Sequence, residues 1–284
     1  MKEASHSSSG TGATDNRRVP TPQHRPDSNQ QDSPHRARTL AIDVGGTGLK
    51  ASVLDAEGKM VVDRVWADTP YPCPPKVMVK ALVGLVKPLP AFDRVSVGFP
   101  GYVRHDKVLT APEFGNDLWH GFDLAEALKA KFGKPVRLLN DADMQGFAAI
   151  NGKGLELAVT LGTGVGTGLF RDGELMPHLE LARHPVHGKK NYNQYLGKKA
   201  LKKIGKKRWN GRLQRVLKIL HDLLLPDKIY IGGGNSRNIT FKLDPHVHLI
   251  SDDDGILGGF MAWKSTQHGE CVKKQRKDHD VSPR

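Results

Sequence analysis

Three short stretches of the chain combine glycines, hydroxyls and carboxylates in patterns suited to handling phosphate. The first, Asp43-Val44-Gly45-Gly46-Thr47-Gly48-Leu49-Lys50, places glycines where one strand turns into the next. Lacking side chains, Gly45 and Gly46 let backbone N–H groups close around an anion as a concave nest. Thr47 adds a hydroxyl, and Lys50 a positive charge on the following strand. Asp43 would repel phosphate unless a cation lay between them, which points to Mg2+ held by Asp43 directly or through water. The second stretch, Leu161 to Gly168, alternates four glycines with small residues, and Gly162, Thr163 and Gly164 are its candidates for a second nest. It opens like a dinucleotide loop, but Leu169 to Gly173 reads as strand and turn, so the helix that such a loop requires is missing. The third, Asn140-Asp141-Ala142-Asp143, stands at the end of a strand. A carboxylate there can take the proton of a hydroxyl attacking phosphorus, which makes Asp141 the candidate base. Asn140, both donor and acceptor, suits sugar hydroxyls. Plainer readings stand beside these. The first stretch also serves as a hairpin turn. An aspartate of the third also caps a helix starting near Met144, a role that Asp143 fits better than Asp141.

The surrounding pattern must position these groups. Thr39–Val44, Lys50–Asp55 and Met60–Trp66 read as three strands joined by tight turns, the second turn being Ala56-Glu57-Gly58-Lys59. Such a meander differs from the strand–helix–strand opening of a dinucleotide-binding fold. A helix over Val77–Val86 follows, then a strand over Arg94–Phe99, a helix over Phe122–Phe132 with Gly133 as its C-terminal stop, and a strand over Val136–Leu139. A similar order then repeats. It comprises a helix over Met144–Ile150, a strand over Leu155–Leu161, and a hairpin of Gly166–Arg171 with Glu174–Met176. Two helices, a strand over Lys228–Ile231 entering Gly232-Gly233-Gly234, and a helix over Gly255–Trp263 complete it. The expected product is a small α/β lobe over residues 38–140 and a large one over 141–263, facing each other across a cleft, with helix 255–263 returning to the small lobe.

Composition sets the limits. Of 284 residues only 38% are hydrophobic, and the deficit lies at the ends. Residues 1–37 and 264–284 hold too few large apolar side chains to offset their ordering entropy, and read as disordered tails. The chain has no apolar run of a secretory signal or of about 18 residues, so a cytoplasmic protein without a membrane partner is expected. Two cysteines, Cys73 and Cys271, make neither a disulfide framework nor a cysteine zinc site. The net charge of +13 is concentrated: twelve Lys or Arg and no Asp or Glu stand between His187 and Lys218. Tyr192, Tyr195, Leu196, Leu201, Ile204, Trp209 and Leu213 interleave with them at helical spacing, so the charges decorate a folded face that attracts polyanions. Nucleic acid would account for that charge but for none of the glycine loops, and is not expected as a partner.

In their order along the chain, Asp43–Lys50, Gly98–Gly101, Asn140–Asp143, Leu161–Gly168 and Gly232–Gly234 resemble the ROK family of sugar kinases, over about residues 39–263. The first loop has the form Asp-x-Gly-Gly-[Thr/Ser]-Gly-x-Lys and is similar to that of the family's polyphosphate glucokinases. The resemblance implies an actin-like, hexokinase-type (ribonuclease H-like) α/β fold of two lobes with a central cleft. It implies phosphoryl transfer to the 6-hydroxyl of glucose from ATP or inorganic polyphosphate with Mg2+, and a homodimer. Asp141 then matches the family's base. Asn140 and the segment Gly98-Phe99-Pro100-Gly101, with Gly98, Pro100 and Gly101 as candidates, line the sugar site. Asn116, ahead of Leu118-Trp119, and Glu180 resemble further sugar contacts. Gly232, Gly233 and Gly234 resemble the loop closing over the donor's nucleoside end. This sequence departs where Arg183 stands in place of the family's His, with His184 one position later, and where the zinc-binding cysteine cluster is missing, so no zinc is expected. The alternatives are an ATP-dependent kinase for another hexose or an N-acetylhexosamine, and a non-catalytic sugar-binding regulator. Residues 1–37 have no apolar periodicity from which a regulator's helix-turn-helix could be built.

Overall fold

The computed structural model describes residues 37–250 and 254–265; the expected tails lie outside these except for residues 37, 264 and 265. Thr39–Val44 (β1), Gly48–Leu54 (β2) and Val65–Asp68 (β3) form the opening meander, and Pro75–Val86 (α1) follows. Proline at the start of α1 supplies the fixed φ of a first turn, while Met78, Val79, Leu82, Leu85 and Val86 bury one stripe of it. Arg94–Phe99 (β4) leads through Val103–Arg104 (β5), Lys107–Val108 (β6), Asn116–Trp119 (α2) and Phe122–Asp123 (β7) to Leu124–Phe132 (α3) and Val136–Asn140 (β8). The first sheet has the order β3-β2-β1-β4-β8. Its central strand β1 is buried almost throughout, as its near-continuous apolar run requires. One face packs on α1 and α3 through Leu40, Ile42, Val44, Leu82 and Leu128.

Asp141–Ala149 (α4) opens the second half, followed by Leu155–Leu161 (β9), Val165–Arg171 (β10) and Glu174–Leu175 (β11). Pro185–His187 (β12), Lys190–Asn191 (β13), Tyr192–Leu196 (α5) and the long Lys198–Leu224 (α6) come next, then Lys228–Gly232 (β14), Val247–Leu249 (β15) and Asp254–Met261 (α7). The second sheet has the order β11-β10-β9-β14-β15. In both sheets the first strand pairs antiparallel with the second and parallel with the fourth, so the halves repeat one plan. They differ in their crossovers: α1 alone lies between β3 and β4, but β12, β13, α5 and α6 lie between β11 and β14. Likewise α2 and α3 lie between β4 and β8, whereas a single 3-10 turn, Ser236–Asn238, lies between β14 and β15.

The halves are joined by an exchange of helices. α4 follows the first sheet yet packs on β9 and β10, and α7 follows the second yet packs on β1 and β4. The two helices cross at backbone distance: a Cβ added at Gly258 would lie 1.7 Å from the Met144 carbonyl oxygen. The end of α7 is fastened by Trp263, which lies under the Arg137 guanidinium at 4.2 Å and donates its Nε1–H to Ser96 Oγ at 2.8 Å.

Two expected elements are corrected. The third strand is not Met60–Trp66 but β3, because Met60, Val61 and Val62 are 44%, 39% and 36% exposed and offer no buried face. Residues 60–62 instead loop over β2, with Val61 N–H on Val53 O and the Ser52 hydroxyl on Val62 O. The helix expected from Phe122 begins at Leu124, where Asp123 caps it by accepting from Glu126 N–H; its stop at Gly133, at φ 63°, is where the sequence places it.

Replacing Gly258 by Ala should therefore lower stability by about 2 kcal/mol and Tm by roughly 4–8 °C. Gly84, with open space around it in α1, provides the contrast: Gly84→Ala should raise Tm slightly, through helix propensity. Calorimetry on the two variants reads both signs.

Candidate active site

The site lies where β1 and β8 end. Asp43 pairs across the sheet with Gly98, which pairs with Leu139, so Asp43 and Asp141 leave neighbouring parts of one sheet edge. Gly98 has to be small here, since a Cβ would lie 3.4 Å from Asp141 Cα and 2.7 Å from Met144 Cε. Burial, then the charges of Asp43 and Asp143, raise the Asp141 carboxyl to about 7, against the opposing Ala142 N–H and the positive His178. Asp43 is raised too, by burial, with Lys50 and Arg64 pulling it back. Lys50 Nζ stands 3.9 Å from Asp43 Oδ2. The first turn of α7 closes over this carboxylate, because a Cβ on Gly255 would be 3.9 Å from Asp43 Oδ2.

Asp141 is aimed by its neighbour. Asn140 Oδ1 accepts from Ala142 N–H at 2.8 Å and Asp143 N–H at 3.3 Å, and Nδ2 donates to Gly101 O at 3.0 Å. Asn140 is thus the helix cap and α4 begins at Asp141, which corrects the expected start at Met144 and the assignment of the cap to Asp143. Gly101 is held against Thr110, where a Cβ would meet the carbonyl oxygen, and Pro100 is half-buried.

The two glycine turns share one hydrogen-bonding device. In the first, Gly45 O accepts from the Thr69 hydroxyl at 2.7 Å, Gly46 O from the Tyr71 hydroxyl at 2.8 Å, Thr47 O from Thr69 N–H and Gly48 O from Gly45 N–H. In the second, Leu161 O accepts from Asn235 N–H, Gly162 O from Asn235 Nδ2 and Lys198 N–H, Thr163 O from Lys198 N–H and Gly164 O from Gly162 N–H. With the carbonyls occupied by the protein, the turns offer N–H groups and the exposed Thr47 and Thr163 to a ligand, an arrangement that receives anions. The Gly232–Gly234 loop braces the second turn. Gly233, at φ 81°, lies so close that a Cβ would be 2.6 Å from Leu161 O, while Gly232 backs onto Ile250 and Gly234 faces open space.

His178 escapes a reading of the sequence. Its Nδ1 is 3.0 Å from Asp143 Oδ2 and its Nε2 is 3.8 Å from Glu180 Oε2, and the ring stacks on Tyr102 at 5.4 Å. Burial works against its charge, but Asp143 and Glu180 outweigh that and hold it at about 10, so it stays cationic at neutral pH. The alternation His178-x-Glu180 ahead of the 3-10 turn was the available signal. His184 itself is exposed, its ring 6.3 Å from Tyr192. Asn116 is exposed at the start of α2, its Oδ1 taking the Ala111 N–H at 2.8 Å. Asn193, also unforeseen, steadies the second turn by accepting from Val165 N–H at 2.6 Å.

Two phosphate-type turns flanking a raised carboxylate are what phosphoryl transfer to a hydroxyl requires. The family model of the ROK family matches residues 39–179. A polyphosphate glucokinase of Mycobacterium leprae is 30% identical over 262 residues, 85% of this chain and 79% of the relative. The chain belongs to the ROK family of sugar kinases. An inorganic polyphosphate/ATP-glucomannokinase from Arthrobacter sp. strain KM superposes with a TM-score of 0.71 at 28% identity, covering 80% of this chain and 99% of that one. The ROK fold here is thus the actin-like, hexokinase type. An N-acetylmannosamine kinase of Escherichia coli is 35% identical over 144 residues, 49% of each chain.

Because the folded Asp141 binds its proton more tightly than an unfolded aspartate, wild-type stability should fall as pH rises from about 4 to about 7. Asp141→Asn removes that dependence, so without metal its Tm should exceed that of the wild type at pH 8 and approach it near pH 4. His178→Ala should cost about 3 kcal/mol by removing one partner of the buried His178–Asp143 pair, read as a shift in denaturant midpoint at unchanged slope.

Proposed function

We propose that this ROK kinase transfers a phosphoryl group to the 6-hydroxyl of glucose, with inorganic polyphosphate or ATP as donor and Mg2+ as cofactor. The observation that carries the reading is Asp141, held near neutrality by burial and by Asp43, at the start of α4 and beside the two turns. A carboxylate with that proton affinity can take up the hydroxyl proton as the bond to phosphorus forms. On the sugar side stand Asn140, Gly98, Pro100, Gly101, Asn116 and Glu180, with His178 beside Glu180.

The residues fit a magnesium ion. The charge of Asp43 raises the proton affinity of Asp141, and a divalent cation by Asp43 would relieve that repulsion. Among the described residues no three His, Cys, Asp or Glu converge as ligands, so water and phosphate oxygens would complete the shell, as Mg2+ prefers. Bound there, the ion supplies charge neutralisation for the transferred group. Lys50, the turns and Asp141 hold and orient the reactants.

For the donor, the placement of α6 supports polyphosphate. Its first residue, Lys198, is hydrogen-bonded through N–H to Gly162 O and Thr163 O, so the basic helix starts at the second turn. Lys199, Lys202, Lys203, Lys206, Lys207 and Arg208 are exposed along it. The relationship to the mycobacterial polyphosphate glucokinase supports the same donor. The match to the N-acetylmannosamine kinase favours a second reading, transfer to an N-acetylhexosamine. Among the described residues no helix is long and apolar enough to cross a membrane.

Product formation from glucose, mannose and N-acetylmannosamine with each donor, across a salt series, tests this. Glucose should be the best acceptor, and KM for polyphosphate should rise steeply with salt while KM for ATP moves less. Asp141→Asn should lower kcat by about 10²–10⁴-fold with glucose binding retained. Near-normal turnover in that variant would remove Asp141 from its role.

A further inference from the structure

Of the four tryptophans, three bond their indole N–H inside the protein: Trp119 to Cys73 O at 3.0 Å, Trp209 to Leu196 O at 2.7 Å and Trp263 to Ser96 Oγ at 2.8 Å. Trp66 is the exception. It stands on β3, 59% exposed, and its N–H has no hydrogen-bond partner among the described residues.

The sheet register fixes what Trp66 is next to. Lys50 pairs with Asp43 on one side and with Trp66 on the other, so the three side chains stand in a row on one face of the sheet. Neighbouring strands are about 4.8 Å apart, which puts Trp66 about 10 Å from Asp43 across the strands. The indole lies over the backbone of the first glycine turn: a Cβ on Gly48 would be 2.6 Å from Trp66 Nε1. Gly48 does not carry a positive φ, so its lack of a side chain is explained by the room the indole occupies. A large aromatic group left in water, with a free donor edge turned to an anion-receiving turn and a lysine beside it, is a feature that packing does not explain.

We propose that Trp66 is a donor-binding residue: its Nε1–H donates to an oxygen of the phosphate next to the one transferred, on the far side of Lys50 from Asp43. The assignment rests on reading Gly45–Gly48 as the donor's phosphate turn. The phosphate oxygen is common to ATP and polyphosphate, so both donors feel the indole.

The test uses the full chain and Trp66→Phe, which keeps an exposed ring and removes the N–H. KM for ATP and for polyphosphate should each rise about tenfold, the worth of one hydrogen bond to a charged acceptor, with kcat and KM for the sugar within twofold. In the wild type, tripolyphosphate with Mg2+ should protect the exposed indole from acrylamide quenching, and the variant should lack the protected component. Unchanged donor KM values, or an equal rise in the sugar KM, would overturn the proposal, as would quenching that tripolyphosphate leaves untouched. If the wild type phosphorylates no sugar with either donor, the kinase reading fails separately, and the quenching titration still decides the role of Trp66.

Discussion

The structure depends on one contact, the crossing of α4 and α7 at Gly258 and Met144. α7 follows the second half yet packs on the first, and α4 packs on strands of both sheets, so the sheets cannot separate without breaking these contacts. The crossing is close only because Gly258 and Gly259 bring no side chain to it; the Cβ position of Gly259 already lies 2.8 Å from Ala41 Cβ. It also sets the chemistry. The start of α4 carries Asp141 and the start of α7 arrives at Asp43, so two helix N-termini, each favouring negative charge, converge on the two carboxylates. The carboxylates are therefore held together by the helices that join the halves, and the geometry of the candidate site is inherited from the fold.

That arrangement is electrostatically strained in the protein alone. Burial raises both Asp43 and Asp141, and the charge of Asp43 raises Asp141 further; Lys50 and Arg64 offset part of this at Asp43, and the Ala142 N–H and His178 part of it at Asp141. Asp143, one helical turn beyond the cap, shows a carboxylate paired with a cation: it is buried, and its Oδ2 is held by His178. The difference between these two aspartates, two residues apart on one helix, is which side of α4 they leave. Asp143 faces a permanent cation, whereas Asp141 lies beside the carboxylate of Asp43. A pair of acids with separated environments is the usual means by which one is reserved for structure and the other for proton transfer.

Much of this was legible in the sequence because it is local. Strands β1 and β9 occupy the residues that their apolar runs predict, and the glycine turns follow directly from them. The cap was misread because Asn140, Asp141 and Asp143 are all good cap formers, and the choice among them is made by the carbonyl of Gly101, 39 residues upstream. His178 was invisible for the same reason, since its partner Asp143 lies 35 residues earlier. Residues 60–62 look like a strand by composition, yet no element covers them, and an apolar triplet without a partner face does not make a sheet. The sharing of carbonyls that turns two glycine loops into anion-receiving surfaces depends on Thr69, Tyr71, Lys198 and Asn235, none of which belongs to either motif.

The basic helix α6 contains a further conflict of local rules. A helix N-terminus is positive, and acidic residues or a polar cap are favoured there. α6 has neither: its cap is Gly197, without a side-chain hydrogen bond, and no acidic residue stands in its first turn. Lysines at positions 198, 199, 202 and 203 add charge of the sign the helix dipole already carries. Gly205, at φ 77°, then breaks the helix, and Lys206, Lys207 and Arg208 resume the charge beyond the kink. Such a start is unfavourable for the helix in isolation: Leu201 and Ile204 pack it against the second core, while its lysines are left exposed and Trp209, Leu213, Val216 and Leu220 are buried beyond the kink. An anion arriving at the same place would offset that cost. That place is the Gly162–Thr163 turn, to which the first N–H of the helix is bonded. The start of the charge run and the second glycine turn are therefore neighbouring parts of one surface.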